Sequence, residues 1–295
     1  MLGELLALLS ALAWATVGVV MGFLVRGLDP FAITAARLLL GTLFQTPVLL
    51  AVALAGGLGP LPLGGLALMA ASGVVSLGIG DSLYVVSLPY IGVSRAHPIS
   101  ITLFPLFTFI VAATVLGETI TRLTLAGSCL IIAGVIVVVA SGGAVRQGRR
   151  DAAGDMRRGV LLLVVAAALW AAGFALLKLG LAGVSSMAAG YTRLLAGGLF
   201  LAGLLWWRGR PLGVERRPGR QWAGLVWIGL MTAVSTGFLV VVAVKYAGAA
   251  KVSVLNATSP LFALPLAFLF LGERIGWRTV VGTALALAGT WLVVL

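Results

Sequence analysis

Charged side chains inside apolar segments are the residues of this sequence whose chemistry is most informative. Of the eight acidic residues, only Asp81 falls inside a long apolar run, in Gly78-Ile-Gly-Asp-Ser-Leu-Tyr84. Burying an isolated charge in an apolar run is costly, so such a group faces a cavity or a partner. Three interpretations stay open: a cavity acid with a role in function, a structural ion pair, for instance with Arg37, or a carboxylate close enough to the membrane surface to be hydrated.

Two arginines occupy equivalent places in the two halves of the chain. Arg37 and Arg193 each lie about two helical turns inside an apolar segment. Their duplication favours a shared structural role, with side chains that reach the lipid headgroups. The alternative is capture of a substrate carboxylate or phosphate by the guanidinium fork. Lys178 has Gly22 as its counterpart, and we interpret it as a snorkelling lysine, with a one-sided cavity charge as the alternative.

His97 is the only histidine in the chain. Its side chain titrates near neutral pH, which suits proton coupling, but a packed or interfacial role is the commoner one. Prolines 98, 105, 260 and 265 interrupt two apolar segments, and backbone groups freed by proline are tolerated beside a cavity. The further candidates for a substrate cavity are polar or aromatic: Asn256, Thr258 and Ser259, then Trp14, Tyr84, Trp170 and Tyr191.

The elements that must position these groups are membrane-spanning helices. Hydrophobic residues make up 61% of the chain and charged residues 9%, far below the roughly 25% typical of soluble domains. Apolar runs near the ~20 residues needed to cross a bilayer recur throughout. We predict an all-α polytopic membrane protein with ten transmembrane helices. The predicted spans are 4–25, 31–55, 63–86, 93–116, 122–141, 158–180, 186–207, 221–244, 249–271 and 277–295.

The chain contains the same pattern twice. Trp14-Ala15 matches Trp170-Ala171, Tyr90-Ile-Gly92 matches Tyr246-Ala-Gly248, and Leu116-Gly-Glu118 matches Leu271-Gly-Glu273. We therefore predict a first five-helix repeat at 1–141, an Arg-rich linker at 142–157 and a second five-helix repeat at 158–295. An odd number of crossings turns the second repeat upside down, which is typical of secondary transporters that work by alternating access.

The positive charge is explained by topology. The net charge of +12 comes mainly from arginines between apolar runs, so we predict no nucleic-acid partner. The charge bias places the linker 142–157 in the cytoplasm and both termini outside. The sequence has one cysteine, Cys129, and no nucleotide, metal or hydrolase motif, so we predict no cofactor, no metal site and no enzyme activity.

With its doubled plan and the helix-ending Leu-Gly-Glu at 116–118 and 271–273, the chain resembles the EamA family of the drug/metabolite transporter superfamily. The segment Tyr90-Ile-Gly-Val-Ser-Arg-Ala96 is also similar to the family's. The resemblance implies two inverted repeats around a central cavity, small-molecule substrates and, in contrast to the charge bias, cytoplasmic termini.

We therefore expect a secondary transporter, most simply an exporter of amino acids or related metabolites, in the inner membrane of a prokaryote. Its expected partners are the small-molecule substrate and the lipid bilayer. Proton antiport and facilitated diffusion both remain open, as do the monomer and the homodimer. The alternative function is a non-transporting membrane binding protein or a lipid-modifying membrane enzyme.

Overall fold

A computed structural model describes residues 1–24, 29–91, 93–141, 153–210, 212, 219–259, 261–262 and 277–294. These residues are helical, with short turns between the helices and no strand among them. The helices are α1 (Leu2–Leu24), α2 (Pro30–Leu54), α3 (63–91), α4 (Val93–Thr114), α5 (Arg122–Ser141), α6 (Ala153–Gly180), α7 (Ser186–Trp207), α8 (219–247), α9 (Ala249–Asn256) and α10 (Trp277–Val294).

Five of the described helices are long and apolar enough to cross a membrane, namely Pro30–Leu54, Leu63–Leu88, Met156–Gly180, Ser186–Trp207 and Gln221–Ala247. Shorter apolar stretches lie at Leu2–Val17, Leu103–Thr114, Arg122–Gly134 and Ala284–Val293. The protein is therefore a multi-pass helical membrane protein. The ninth predicted span is described only in its first part, so Pro265 and Leu271-Gly-Glu273 lie outside the described residues, as does most of the linker 142–157.

Local sequence explains where the helices begin. At α2, the Phe31 amide donates to Asp29 Oδ1 at 2.9 Å, and Pro30 occupies the first helical position, where a missing N–H costs nothing. At α7, the Ala188 amide donates to Ser185 Oγ at 3.3 Å. Asp29 and Ser185 thus satisfy amides that have no partner within the helix.

Helices α3 and α8 each contain a wider, π-helical stretch. In α3 it is Gly73–Gly80, between α-helical parts Leu63–Ser72 and Asp81–Ile91. In α8 it is Ser235–Leu239, between Gly219–Val234 and Val240–Ala247. The sequence analysis did not predict either stretch, because the apolar pattern continues through both. π-Helical turns are rare overall, but those that occur are often found at functional sites.

Helices that correspond in the two halves pack against each other: α2 on α7, and α5 on α10. Likewise α1 contacts α8 and α9, as α6 contacts α3 and α4. The packing therefore keeps its pattern when the two halves are exchanged, as expected if the repeated sequence forms two similarly folded units.

The paired helices run antiparallel. A Cβ on Gly127 of α5 would lie 2.6 Å from the Gly289 carbonyl oxygen of α10, and one on Gly134 would lie 2.5 Å from that of Gly282. In α2 and α7, Gly41 lies beside Leu194, and Gly197 lies beside Leu38. Glycine at these crossings lets the helix backbones approach closely, the usual way in which membrane helices associate.

Candidate functional site

The carboxylate of Asp81 stands where the π-helical stretch of α3 ends. It forms an ion pair with the Arg37 guanidinium of α2, and Trp170 Nε1 of α6 donates to Asp81 Oδ1 at 2.8 Å. A Cβ on Gly80 would lie 2.8 Å from the Trp170 ring, so the missing side chain at position 80 makes room for this indole. Asp81 therefore joins three helices from both halves through its two carboxylate oxygens.

Arg37 is buried rather than snorkelling, with none of its surface exposed. Its guanidinium carbon lies 5.0 Å from the centre of the Trp14 ring, within the range of a cation–π interaction. Arg37 Nη1 is 3.5 Å from Thr232 Oγ1 of α8. We call Trp14, Arg37, Asp81 and Trp170 the central cluster.

Arg193 is also buried, at 1% exposure, but has no carboxylate partner among the described residues. Its Nε donates to Ser72 Oγ at 3.0 Å, and Nη2 is 3.5 Å from Ser76 Oγ. Nη1 is buried and finds no hydrogen-bond partner in the described part of the chain. The Asp81 carboxylate is near enough to interact electrostatically with Arg193, although it is bonded to Arg37.

The difference between the two arginines comes from one position. In the second half of the chain, the position that corresponds to Asp81 is Gly237, at the same spacing from Arg193. Glycine has no side chain that could act as a counter-ion. A Cβ on Gly237 would lie 2.3 Å from Gln45 Nε2, so the side chain of α2 fills that space. Gln45 Nε2 donates to the Ala233 carbonyl at 3.1 Å. The two halves thus share an arginine but not its counter-ion.

Aromatic rings extend the central cluster toward α4. Tyr84 and Trp170 have ring centres 5.8 Å apart, and Phe104 meets Trp170 edge-on at 5.9 Å. Phe104 also meets Phe174 edge-on at 5.1 Å. Such tilted and edge-on pairs are the favoured arrangements of aromatic side chains.

The remaining candidates lie apart from the central cluster or cannot be placed. Tyr191 accepts a long 3.5 Å hydrogen bond from Thr46 Oγ1. Thr258 is buried and donates to the Leu255 carbonyl, and Asn256 Oδ1 is buried without a partner among the described residues. Ser259 is half-buried at the end of the described part of the ninth span. His97 lies in α4, but its side chain is outside the described part of the chain, as is Pro260.

Sequence reasoning missed several side chains that contact the central cluster, Arg193 or their immediate neighbours: Gln45, Ser72, Ser76, Phe104, Phe174 and Thr232. Ser72 and Ser76 carried a usable signal, because hydroxyls four residues apart share one face of a helix. Ser72 Oγ donates to the Gly173 carbonyl at 2.6 Å, which leaves its lone pairs free to accept from Arg193. The other residues gave no signal, since single Phe, Thr and Gln residues are common in apolar helices.

Comparison with known proteins agrees with this architecture. A model of the EamA-like transporter family matches residues 1–140 and again residues 157–295. The chain therefore belongs to the EamA-like transporter family.

Two individual proteins add detail. A probable terminal-alkyne amino-acid exporter of Streptantibioticus cattleyicolor (strain ATCC 35852 / DSM 46488 / JCM 4925 / NBRC 14057 / NRRL 8057) is 30% identical over 120 residues. That match spans 41% of this chain and 39% of the relative's length. A protein solved by crystallography aligns with a TM-score of 0.76 and 20% identity over 98% of this chain and 95% of its own. At that identity the solved structure carries the fold alone.

Proposed function

We propose that this protein is a secondary transporter that exports small organic metabolites, above all amino acids, across the inner membrane of a prokaryote. The observation that carries the proposal is the charge balance beside the central cluster. Among the described residues, the two buried arginines Arg37 and Arg193 outnumber the one carboxylate near them, that of Asp81, which is paired with Arg37. One buried positive charge is left over, and a substrate carboxylate would neutralise it.

Arg193 is the anchor for that carboxylate. Its Nη1 has no partner among the described residues, whereas Nε and Nη2 are held by Ser72 and Ser76. The two serines therefore orient the guanidinium and leave one N–H edge for a ligand. A guanidinium binds a carboxylate through directed, charge-assisted hydrogen bonds, which are about twice as strong as neutral ones.

The aromatic rings supply a surface for the rest of the substrate. Tyr84, Phe104, Trp170 and Phe174 form one connected group of rings, and Trp170 is bonded to Asp81. An apolar side chain of an amino acid packs on such rings while its carboxylate reaches Arg193. Apolar rings beside a few directed polar groups are the usual composition of small-molecule sites.

Two oppositely oriented repeats give the transport mechanism. The antiparallel α2/α7 and α5/α10 pairs support ten spans arranged as inverted repeats, whose interface holds the substrate site near the middle of the membrane. Rocking of one repeat against the other then opens the site to either side in turn. The name of the Streptantibioticus relative, a probable amino-acid exporter, supports the same substrate class.

The test is counterflow of radiolabelled amino acids into proteoliposomes that hold the purified protein. We expect unlabelled amino acids to inhibit the flux of the wild-type protein. Their methyl esters, which lack the carboxylate, should not inhibit it. Arg193→Gln should lower flux at least tenfold, the effect of losing one charge-assisted contact of ~1.5–3 kcal/mol. Arg193→Lys should retain part of the flux because it keeps the charge and loses the fork.

Arg208→Gln is the matched control, since Arg208 caps the exposed end of α7 away from the central cluster. Its flux should equal that of the wild type. Absence of amino-acid flux in wild-type vesicles, or equal inhibition by the methyl esters, would contradict the proposal. This assay also separates transport from the alternative of a binding protein or a lipid-modifying enzyme.

A further inference from the structure

Helices α8 and α9 meet at Gly248, and charged side chains from α6 and from the connection between α4 and α5 cap the two ends of this break. Gly248 has φ 82°, a left-handed conformation that glycine adopts without strain. Lys178 Nζ of α6 donates to the Val244 carbonyl near the end of α8 at 3.2 Å. Glu118 accepts from the Ala249 amide at 2.9 Å and from the Ala250 amide at 3.2 Å. Lys178 is thus a directed cap rather than a lysine that snorkels to the headgroups.

A cavity of about 340 Å³ lies beside this break. Its polar lining comes from Glu118, Thr119, Thr124, Lys178 and Lys251. The volume is at the lower end of the ~300–1,000 Å³ of small-molecule sites. Lys178 lies two turns beyond Trp170 on α6, about 12 Å along the helix, so the cavity is separate from the central cluster.

The charges around the cavity favour a solute with a carboxylate. Among the lining residues, two lysines stand against the carboxylate of Glu118, which already binds two amides at the N-terminus of α9. Glu4, the acid beside Lys251, is itself paired with the ammonium group of Met1. Lys251 Nζ lies 3.8 Å from Glu4 Oε1, a loose ion pair that leaves its other N–H groups available. Lysine side chains of this kind bind an anion as point charges.

We propose that this cavity is a second, peripheral binding site for the amino-acid substrate, about two helical turns along α6 from the central cluster. The choice of an amino acid rests on the proposed function. The substrate carboxylate binds Lys251 and Lys178, and its ammonium group binds the remaining lone pairs of Glu118. The threonine hydroxyls complete the polar lining and leave room for a small side chain.

The test isolates the cavity by disabling the proposed central site. Binding of radiolabelled L-alanine, L-leucine and L-phenylalanine is measured by equilibrium dialysis on the detergent-purified Arg193→Gln protein. We expect at least one of the three to bind, and we expect Lys251→Met in that background to raise its Kd about tenfold, the effect of one lost contact to a charged group. Lys251→Arg should restore most of the affinity.

Lys245→Met is the matched control, because Lys245 is an exposed lysine of α8 that points at Tyr246 and does not line the cavity. It removes the same charge and should leave the Kd unchanged. Absence of binding to the Arg193→Gln protein, or equal Kd values for Lys251→Met and Lys245→Met, would overturn the proposal. Dialysis needs no flux, so its failure is distinct from a failure of amino-acid transport in the counterflow assay.

Discussion

Arg37 and Arg193 are equivalent in sequence but have different surroundings. Arg37 is held by the carboxylate of Asp81 and by the ring of Trp14, whereas Arg193 is held by two serine hydroxyls. A buried charge without a counter-ion is costly in free energy. An anionic ligand would therefore stabilise Arg193 more than Arg37, whose charge is already balanced by Asp81. The residue-scale difference therefore separates a structural arginine from a proposed binding arginine.

Replacing Asp81 tests the structural half of this division. Asp81→Asn keeps the size of the side chain but leaves Arg37 buried without a counter-ion, and a buried pair broken in this way costs ~3–5 kcal/mol. We expect a marked loss of thermal stability in detergent. Asp29→Asn is the control: the Asp29–Arg210 ion pair, at 2.6 Å, lies at the surface, and asparagine caps a helix as well as aspartate does.

The charge swap extends the Asp81 experiment. Asp81→Arg combined with Arg37→Asp should recover part of the lost stability, because the pair is neutral again. Recovery should be incomplete, since an arginine at position 81 cannot accept the N–H of Trp170. If Asp81→Asn were as stable as Asp29→Asn, the ion pair would have no structural role.

At the scale of the elements, α3 and α8 are corresponding helices that both contain a π-helical stretch in their middle. In α3 the stretch begins at Gly73, where a Cβ would lie 2.1 Å from the Arg193 carbonyl oxygen of α7. It ends just before Asp81. The wider turn and the close approach to α7 together set where Asp81, Ser72 and Ser76 lie relative to the two arginines.

Gly73→Ala should therefore destabilise the protein by ~1–3 kcal/mol, because α3 and α7 must separate to admit the methyl group. Gly64→Ala in the same helix is the control, since nothing lies within 4 Å of a Cβ there. It should be neutral or stabilising by about 0.5–1 kcal/mol, the helix preference of alanine over glycine. The measurement is thermal unfolding of both variants in detergent, and equal melting temperatures would rule out the close approach.

At the scale of the whole molecule, the two halves have the same helix packing. The positive charges, in contrast, are distributed unequally between the connections on the two sides of the membrane. The arginines outside the predicted spans lie in the connections that follow the first, fifth, seventh and ninth spans, which include the linker 142–157. Charge bias of this kind in short loops keeps them in the cytoplasm. The resemblance to the EamA family implies the opposite orientation, with cytoplasmic termini, and the two orientations predict opposite labelling of the linker.

A single cysteine in the linker distinguishes the two orientations. In a Cys129→Ala background, Ala152→Cys should resist a membrane-impermeant thiol reagent in intact cells and react after the cells are opened. Ala182→Cys, in the exposed turn between α6 and α7 on the other side, is the matched control and should react in intact cells. The reverse pattern would show that the termini are cytoplasmic.

The sequence by itself determined the class of protein. The length of the apolar segments and the repeated Trp, Arg and Leu-Gly-Glu positions are local features, so they can be recognised without knowing how the helices pack. Residues such as Asp81 and Arg37 were recognisable as candidates since a charge in an apolar run is anomalous wherever it lies. Only the tertiary structure decided which arginine has the carboxylate, as this depends on how α2, α3 and α6 meet. The same holds for the cavity at Glu118, Lys178 and Lys251, whose lining residues are far apart in sequence and meet only because the helix ends converge.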